Sequence, residues 1–104
     1  MSAYIIANFE VTDREGFARY VESAPATVAA YGGAYLARGG ITELLEGELL
    51  TGRVVIVRFP NTKAAMAWYR SPEYAPLREI RLHAARGPLL ITAGFDEEQA
   101  DDHD

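Results

Sequence analysis

The sequence predicts an α+β domain of the ferredoxin-like, split βαβ kind, with an antiparallel sheet. Three observations carry this expectation. Alternating or β-branched apolar segments stand near both ends of the 104-residue chain and twice in its middle. Two stretches with apolar residues at helical spacing lie between them, giving the order strand, helix, strand, strand, helix, strand. Gly32-Gly33, Gly39-Gly40, Pro60 and Gly87-Pro88 stand at the joints, where turns need them.

Residues 3–11 read as the first strand. Ile5, Ala7, Phe9 and Val11 share one face, and Tyr4, Ile6, Asn8 and Glu10 the other. Thr12 caps the following helix, with Glu15 completing a capping box. Phe17, Tyr20, Val21, Ala24, Val28 and Tyr31 form its apolar stripe. Pro25 interrupts that stripe, so the expectation is a helix over 13–23, a kink, and a shorter turn of helix to Tyr31. Gly32-Gly33 ends it. Residues 34–38 form a short strand, Gly39-Gly40 bends the chain, and Ile41 to Glu46 continues or pairs as another strand. Residues 49–52 make a turn, and Arg53 to Phe59 is the central strand by its β-branched run.

Asn61 or Thr62 caps the next helix, which runs through Arg70. Trp68-Tyr69-Arg70-Ser71-Pro72-Glu73-Tyr74 then gathers the only Trp and two of the six Tyr at a helix joint, which suits the closing of a core or a pocket. A third helix runs from about Pro72 to Ala85, with Ser71 as cap and Pro72 in first position. Pro76 lies late for a first turn, so residues 72–75 are alternatively a separate tight turn. Leu89 to Ala93 is the last strand.

Such a sheet carries helices on one face only. Neither face of the first strand is polar enough to sit in water, and a second copy of the chain is the simplest cover, so a homodimer is expected. Residues 1–95 read as one domain without internal repeat or linker. They hold ten basic and nine acidic residues, whereas residues 96–104 hold six acids and no Lys or Arg, so the net charge of −5 belongs to an acidic, disordered tail. No basic stripe is present, and nucleic acid is not an expected partner. No apolar run approaches the roughly 20 residues that span a bilayer, so no membrane partner is expected, and the opening residues lack the basic start of a signal peptide. The chain has no Cys, which excludes disulfide and thiolate chemistry and fits a cytoplasmic setting.

The third helix carries the first candidate for chemistry. Tyr74, Leu77, Arg81 and Ala84 share one helical face. An Arg on an apolar stripe either lines a pocket or is paired inside, or it lays its stem over the core with its head in water. An inward Arg81 suits a carboxylate or a developing oxyanion, and Tyr74 can place its hydroxyl near it. Trp68, with Ala65, reads first as core. Glu46 and Arg38 are expected to form an ion pair across neighbouring strands. His83 reads as a surface residue. His103, beside Asp102 and Asp104, suits loose binding of a divalent ion, but two His without shared helical spacing argue against a metal or haem site. Phosphate-loop and nucleophile-elbow patterns are absent.

The chain also resembles a known family. The resemblance rests on Tyr4-Ile5-Ile6, Pro25-Ala26-Thr27 ahead of Tyr31-Gly32-Gly33, Arg38-Gly39-Gly40 and Leu45-Glu46-Gly47. It continues through Arg53-Val54-Val55-Ile56, Phe59-Pro60, and Ala67-Trp68-Tyr69-x-Ser71-Pro72-Glu73-Tyr74 with Arg81 beyond. These are similar to the bacterial domain-of-unknown-function family thirteen-thirty (DUF 1330), within the dimeric α+β barrel superfamily, over about residues 3–94. The resemblance implies a ferredoxin-like protomer and a dimer with its sheets face to face. It implies no reaction, since the superfamily includes cofactor-free monooxygenases, isomerases, haem enzymes and plain ligand binders. Their pockets lie between the sheet and helices of one protomer, and the monooxygenases gather Trp, Tyr, Asn and Arg there.

The resulting expectation is a protein that holds a small acidic or carbonyl-bearing organic molecule in a sheet–helix cleft, without a bound cofactor. Arg81, Tyr74, Trp68 and Asn8 are the candidate ligand-binding residues, and catalytic roles are unassigned. One alternative is a cofactor-free enzyme of the monooxygenase or isomerase kind. Another is a structural dimer without a pocket.

Overall fold

Four strands form one antiparallel sheet in the order β3-β4-β1-β6. The computed structural model describes residues 1–50 and 52–95. Along the chain the elements are β1 (Ala3–Asn8), β2 (Glu10–Val11), α1 (Arg14–Ala30), β3 (Ala34–Arg38) and β4 (Val54–Phe59). They continue with α2 (Thr62–Tyr69), α3 (Ala75–Ala84), β5 (Ala85–Arg86) and β6 (Leu89–Ala93). β1 lies between β4 and β6 and pairs antiparallel with both, which is the split βαβ topology. The first strand stops earlier than expected. Phe9 ends the main ladder, and Glu10–Val11 pairs instead with Ala85–Arg86 in a separate two-stranded ribbon.

The alternation along β1 decides which face is inside. Ala3, Ile5, Ala7 and Phe9 are buried, while Tyr4, Ile6 and Asn8 are half-buried. Ile5 packs with Val57 and Phe59 of β4 and with Val28, Ala65, Trp68 and Tyr74 from the helical layer. On the opposite face Ile6 stands in register with Ile56 on one side and Leu90 on the other. That face has no helix over it, and Leu36 and Leu90 are 55% and 46% exposed.

Asp13, not Thr12, caps α1; its carboxylate accepts from the Gly16 N–H at 3.2 Å. The N–H groups of Thr12 and Asp13 are both committed to the Ala84 carbonyl, at 2.8 and 3.0 Å, which ties the start of α1 to the end of α3. The expected break at Pro25 does not occur. α1 runs through it, and the Val21 carbonyl that Pro25 cannot satisfy accepts from Arg38 Nη2 at 2.7 Å. Gly32, at φ +82°, closes the helix in the left-handed region.

No strand forms at 41–46. Gly39, at φ +72°, makes the last rung with the Val54 carbonyl and turns the chain away, leaving Ile41 and Leu45 exposed. β3 is the sheet edge, and the chain leaves it at Gly39 without folding back to pair with its free side. With no strand there, Arg38 and Glu46 do not pair, and Arg38 bonds the Val21 carbonyl instead. The turn expected at 49–52 includes residue 51, which lies outside the described residues, as do the tail 96–104 and His103.

Asn61 caps α2, accepting from the Ala64 N–H at 2.7 Å. α3 begins at Ala75 rather than Pro72, with Pro76 in its first turn, so residues 72–74 form the tight turn. Ser71 serves that turn. Its buried hydroxyl donates to the Trp68 carbonyl at 2.8 Å and accepts from the Tyr74 N–H at 3.1 Å. No described helix is long and apolar enough to cross a membrane.

Candidate functional site

The helix joint after α2 builds an aromatic stack over the inner face of the sheet. Trp68 is 2% exposed, with its ring centroid 4.1 Å from that of Tyr74 and 5.5 Å from that of Phe59. Its indole N–H donates to Thr27 Oγ1 at 3.0 Å, and Thr27 itself donates to the Ala24 carbonyl. The Pro25-Ala26-Thr27 segment therefore fixes the indole as well as the helix. Tyr74 is fully buried, and its hydroxyl lies 2.8 Å from that of Tyr20 on α1.

Arg81 faces inward, at 5% exposure. Its guanidinium lies 5.0 Å from the Phe9 ring, and its Nε is buried without a hydrogen-bond partner among the described residues. Burial pushes the phenols of Tyr20 and Tyr74 above their ordinary range, while the Arg81 charge acts downward on both. Both remain neutral hydroxyls at physiological pH. His83 is exposed and bonds the Glu79 carbonyl.

Two hollows lie between helices and sheet, and Ile5 and Leu89 line both. The first, under α1, is walled by Phe9, Phe17, Tyr20, Val55 and Trp68, and has Arg38 and Arg53 in its lining. It is small, with a free volume of about 40 Å³. The second, bordered by Met66, Tyr69, Arg81, Leu82 and Ile91, is more open and offers about 360 Å³ by the same measure. Of the residues expected at a site, Trp68 lines the first hollow and Arg81 the second. Tyr74 lines neither, but links them through Tyr20 on one side and Arg81 on the other. Asn8 borders neither hollow. Its amide donates to the Arg53 carbonyl at 2.8 Å and accepts from the Leu50 N–H at 3.0 Å, so it ties β1 to the segment before β4.

The sequence reading missed Tyr20, Arg38 and Arg53. Tyr20 was legible only as one of six stripe residues. Arg53 carried a signal, being the one charged residue at the mouth of a β-branched run. Arg38 carried one in Pro25, which leaves a helix carbonyl for some distant donor. Among the described residues no three His, Asp or Glu side chains converge as metal ligands.

The family model described as "Domain of unknown function (DUF1330)" matches residues 2–95. No curated protein matches the chain. Several solved structures share its fold. A protein of unknown function from Rhodopseudomonas palustris, RPA0582, is 17% identical over 91% of this chain and 83% of its own, with a TM-score of 0.73. SnoaB from Streptomyces nogalater, described as a cofactor-independent oxygenase, is 14% identical over 91% of this chain and 94% of its own, with a TM-score of 0.65. Rv0793 from Mycobacterium tuberculosis is 17% identical over 96% of this chain and 99% of its own, with a TM-score of 0.54.

Proposed function

We propose that this chain, which belongs to the DUF1330 family, holds a small acidic or carbonyl-bearing organic molecule in its sheet–helix cleft, without a resident cofactor. One observation carries the reading. Arg81 is almost wholly buried, has no carboxylate partner among the described residues, and borders an apolar hollow of about 360 Å³. An unpaired charge in such a place is costly unless something compensates it, and an anionic or carbonyl oxygen does so. Tyr74 supports Arg81 from the inner side, and Trp68 stacks on Tyr74. Asn8 acts at one remove, by holding the backbone of Arg53.

A homodimer completes the proposal. The uncovered row Leu90–Ile6–Ile56 suits a second sheet packed face to face, and one domain spans residues 1–95 with an acidic tail beyond. The cysteine-free sequence suits a cytoplasmic setting.

The test is a thermal-shift screen of small carboxylic acids and ketones against the wild type and Arg81→Met. Hits that stabilise the wild type and fail on the variant support the reading. A screen in which every hit binds both alike, or in which there is no hit at all, overturns it.

A second reading, a cofactor-free oxygenase, draws on one observation besides the likeness to SnoaB. The Tyr20–Tyr74 pair shares one hydrogen bond, so one of its two protons is left to donate to a further oxygen, beside the Arg81 charge. Oxygen uptake with the hits, measured without added cofactor, separates binder from enzyme.

A further inference from the structure

We propose that Arg38 and Arg53 form a carboxylate port to the first hollow, whose ligand is a monocarboxylic acid with a compact apolar body no larger than one six-membered ring. This site is separate from the Arg81 hollow, and its argument does not rest on that one.

Each guanidinium is held in place by something other than an acid. Arg53 lies against the Phe17 ring at 4.9 Å, and its Nε is buried with no hydrogen-bond partner among the described residues. Gly39 lets the guanidinium lie close against the backbone at that position. A Cβ there would stand 2.7 Å from Arg53 Nη1, and φ +72° already disfavours any other residue. The Arg53 backbone is pinned by Asn8. Arg38 donates Nη2 to the Val21 carbonyl at 2.7 Å and rests over the Tyr35 ring at 4.9 Å. Among the described residues the only ion pair is Arg86–Glu10, so no described carboxylate neutralises Arg38 or Arg53.

Two positioned, unneutralised guanidiniums on one apolar hollow are an arrangement for binding an anion. Each keeps N–H donors in the planar fork that matches a carboxylate, and a donor already fixed by packing loses less entropy on binding. The rest of the ligand follows from the walls. Phe9, Phe17, Val55 and Trp68 offer an apolar, largely aromatic lining. The space is about three times what one water needs, which limits the apolar body to a single ring or a short chain and excludes a fused-ring molecule. The same carboxylate chemistry is available from the acidic residues 96–104, so the source has to be separated by experiment.

The probe is benzoate, titrated calorimetrically into the full-length protein, with benzyl alcohol as its uncharged counterpart. Trp68 is the only Trp and lines the hollow, so its fluorescence reports occupancy. The expected result is saturable binding of benzoate with a change in Trp68 emission. Arg53→Met and Arg38→Met should each weaken binding tenfold or more, Arg53→Lys should retain part of it, and Arg81→Met should leave it unchanged. Benzyl alcohol should bind weakly and alike in all of them. Melting curves of each variant confirm that it is folded, and Arg53→Lys stands in for Arg53→Met if the latter is not. Benzoate affinity unchanged in folded Arg variants overturns the port, as does failure of benzoate to bind the wild type; neither result touches the Arg81 reading. A chain ending at Phe95 that binds benzoate tenfold more tightly than the full chain overturns the free acid as ligand and assigns the port to the protein's own acidic segment.

Discussion

Pro25 and Arg38 meet at one atom, the carbonyl oxygen of Val21. Pro25 has no N–H to give it, and Arg38 Nη2 donates to it at 2.7 Å. A residue that ordinarily weakens a helix here leaves an acceptor that fixes a cation at the edge of a hollow.

Pro25→Ala tests that relationship. It supplies the missing helical N–H, which then competes with Arg38 for the carbonyl. Stability should rise by about 1 kcal/mol, or roughly 4–8 °C in the melting midpoint for a domain of this size. Benzoate affinity should fall about threefold or more as Arg38 loses its anchor. A calorimetric melt and a titration on the same sample check both, and unchanged affinity would separate Arg38's position from Pro25.

The buried phenols make stability sensitive to alkali. Burial raises the pKa of both Tyr20 and Tyr74 above their unfolded value near 10, so the native state keeps protons that the unfolded chain releases. Their contribution is complete below about pH 10 and is lost as pH climbs further, at up to about 1.4 kcal/mol per pH unit for each. Tyr20→Phe should flatten the decline. It should also cost about 1–3 kcal/mol at pH 7, because the fully buried Tyr74 hydroxyl loses its hydrogen bond to Tyr20 and keeps only the Arg81 side. Urea unfolding across pH 7–11 measures both effects.

Arg81→Met keeps an apolar stem and removes a buried charge that lies over the Phe9 ring and whose Nε has no hydrogen-bond partner among the described residues. The variant should fold, with a melting midpoint equal to or above that of the wild type. A large drop in the midpoint would mean that the guanidinium is part of the core's own polar network rather than free for a ligand.

The outer sheet face should be the dimer interface. Ile6 lies at its centre, in register with Ile56 and Leu90. The wild type should run as a dimer in light scattering at micromolar concentration, with an interface of around 1,600 Å² or more. Ile6→Arg puts a charge at the middle of that face and should give a monomer. A wild type that is monomeric, or a variant that remains dimeric, rejects this face.

Deleting residues 96–104 should leave the melting midpoint nearly unchanged, since six acids among nine residues offer little apolar surface to bury. A drop of several degrees in a scanning calorimeter would show that this segment docks on the domain.

Much of the architecture was legible because it is written at short range. The period-two pattern of Ile5, Ala7 and Phe9 and the stripe of Phe17, Tyr20, Ala24 and Val28 each assign a face from a few neighbouring residues. Gly32 and Asn61 act within a turn of their own positions, and both end or cap helices as expected. The stripe of Tyr74, Leu77, Arg81 and Ala84 likewise put Arg81 on the apolar face of its helix, and the structure decided between an inward guanidinium and one reaching water.

The sequence by itself determined the order of the main strands and helices and which residues share a face, whereas the structure decided that the Ile5, Ala7 and Phe9 face and Arg81 point inward. Only the tertiary structure decided what converges. Tyr20 meets Tyr74 across 54 positions, Trp68 meets Thr27 across 41, and Asn8 meets the Arg53 carbonyl across 45. It also decided that 41–46 forms no strand, although the residues suit one: Gly39, at φ +72°, turns the chain away, and the segment does not fold back on the free edge of β3. Arg38, Arg53 and the first hollow came together for the same reason. A periodic pattern says which way a side chain faces, whereas its partner is chosen by how whole elements pack, and no local rule encodes that choice.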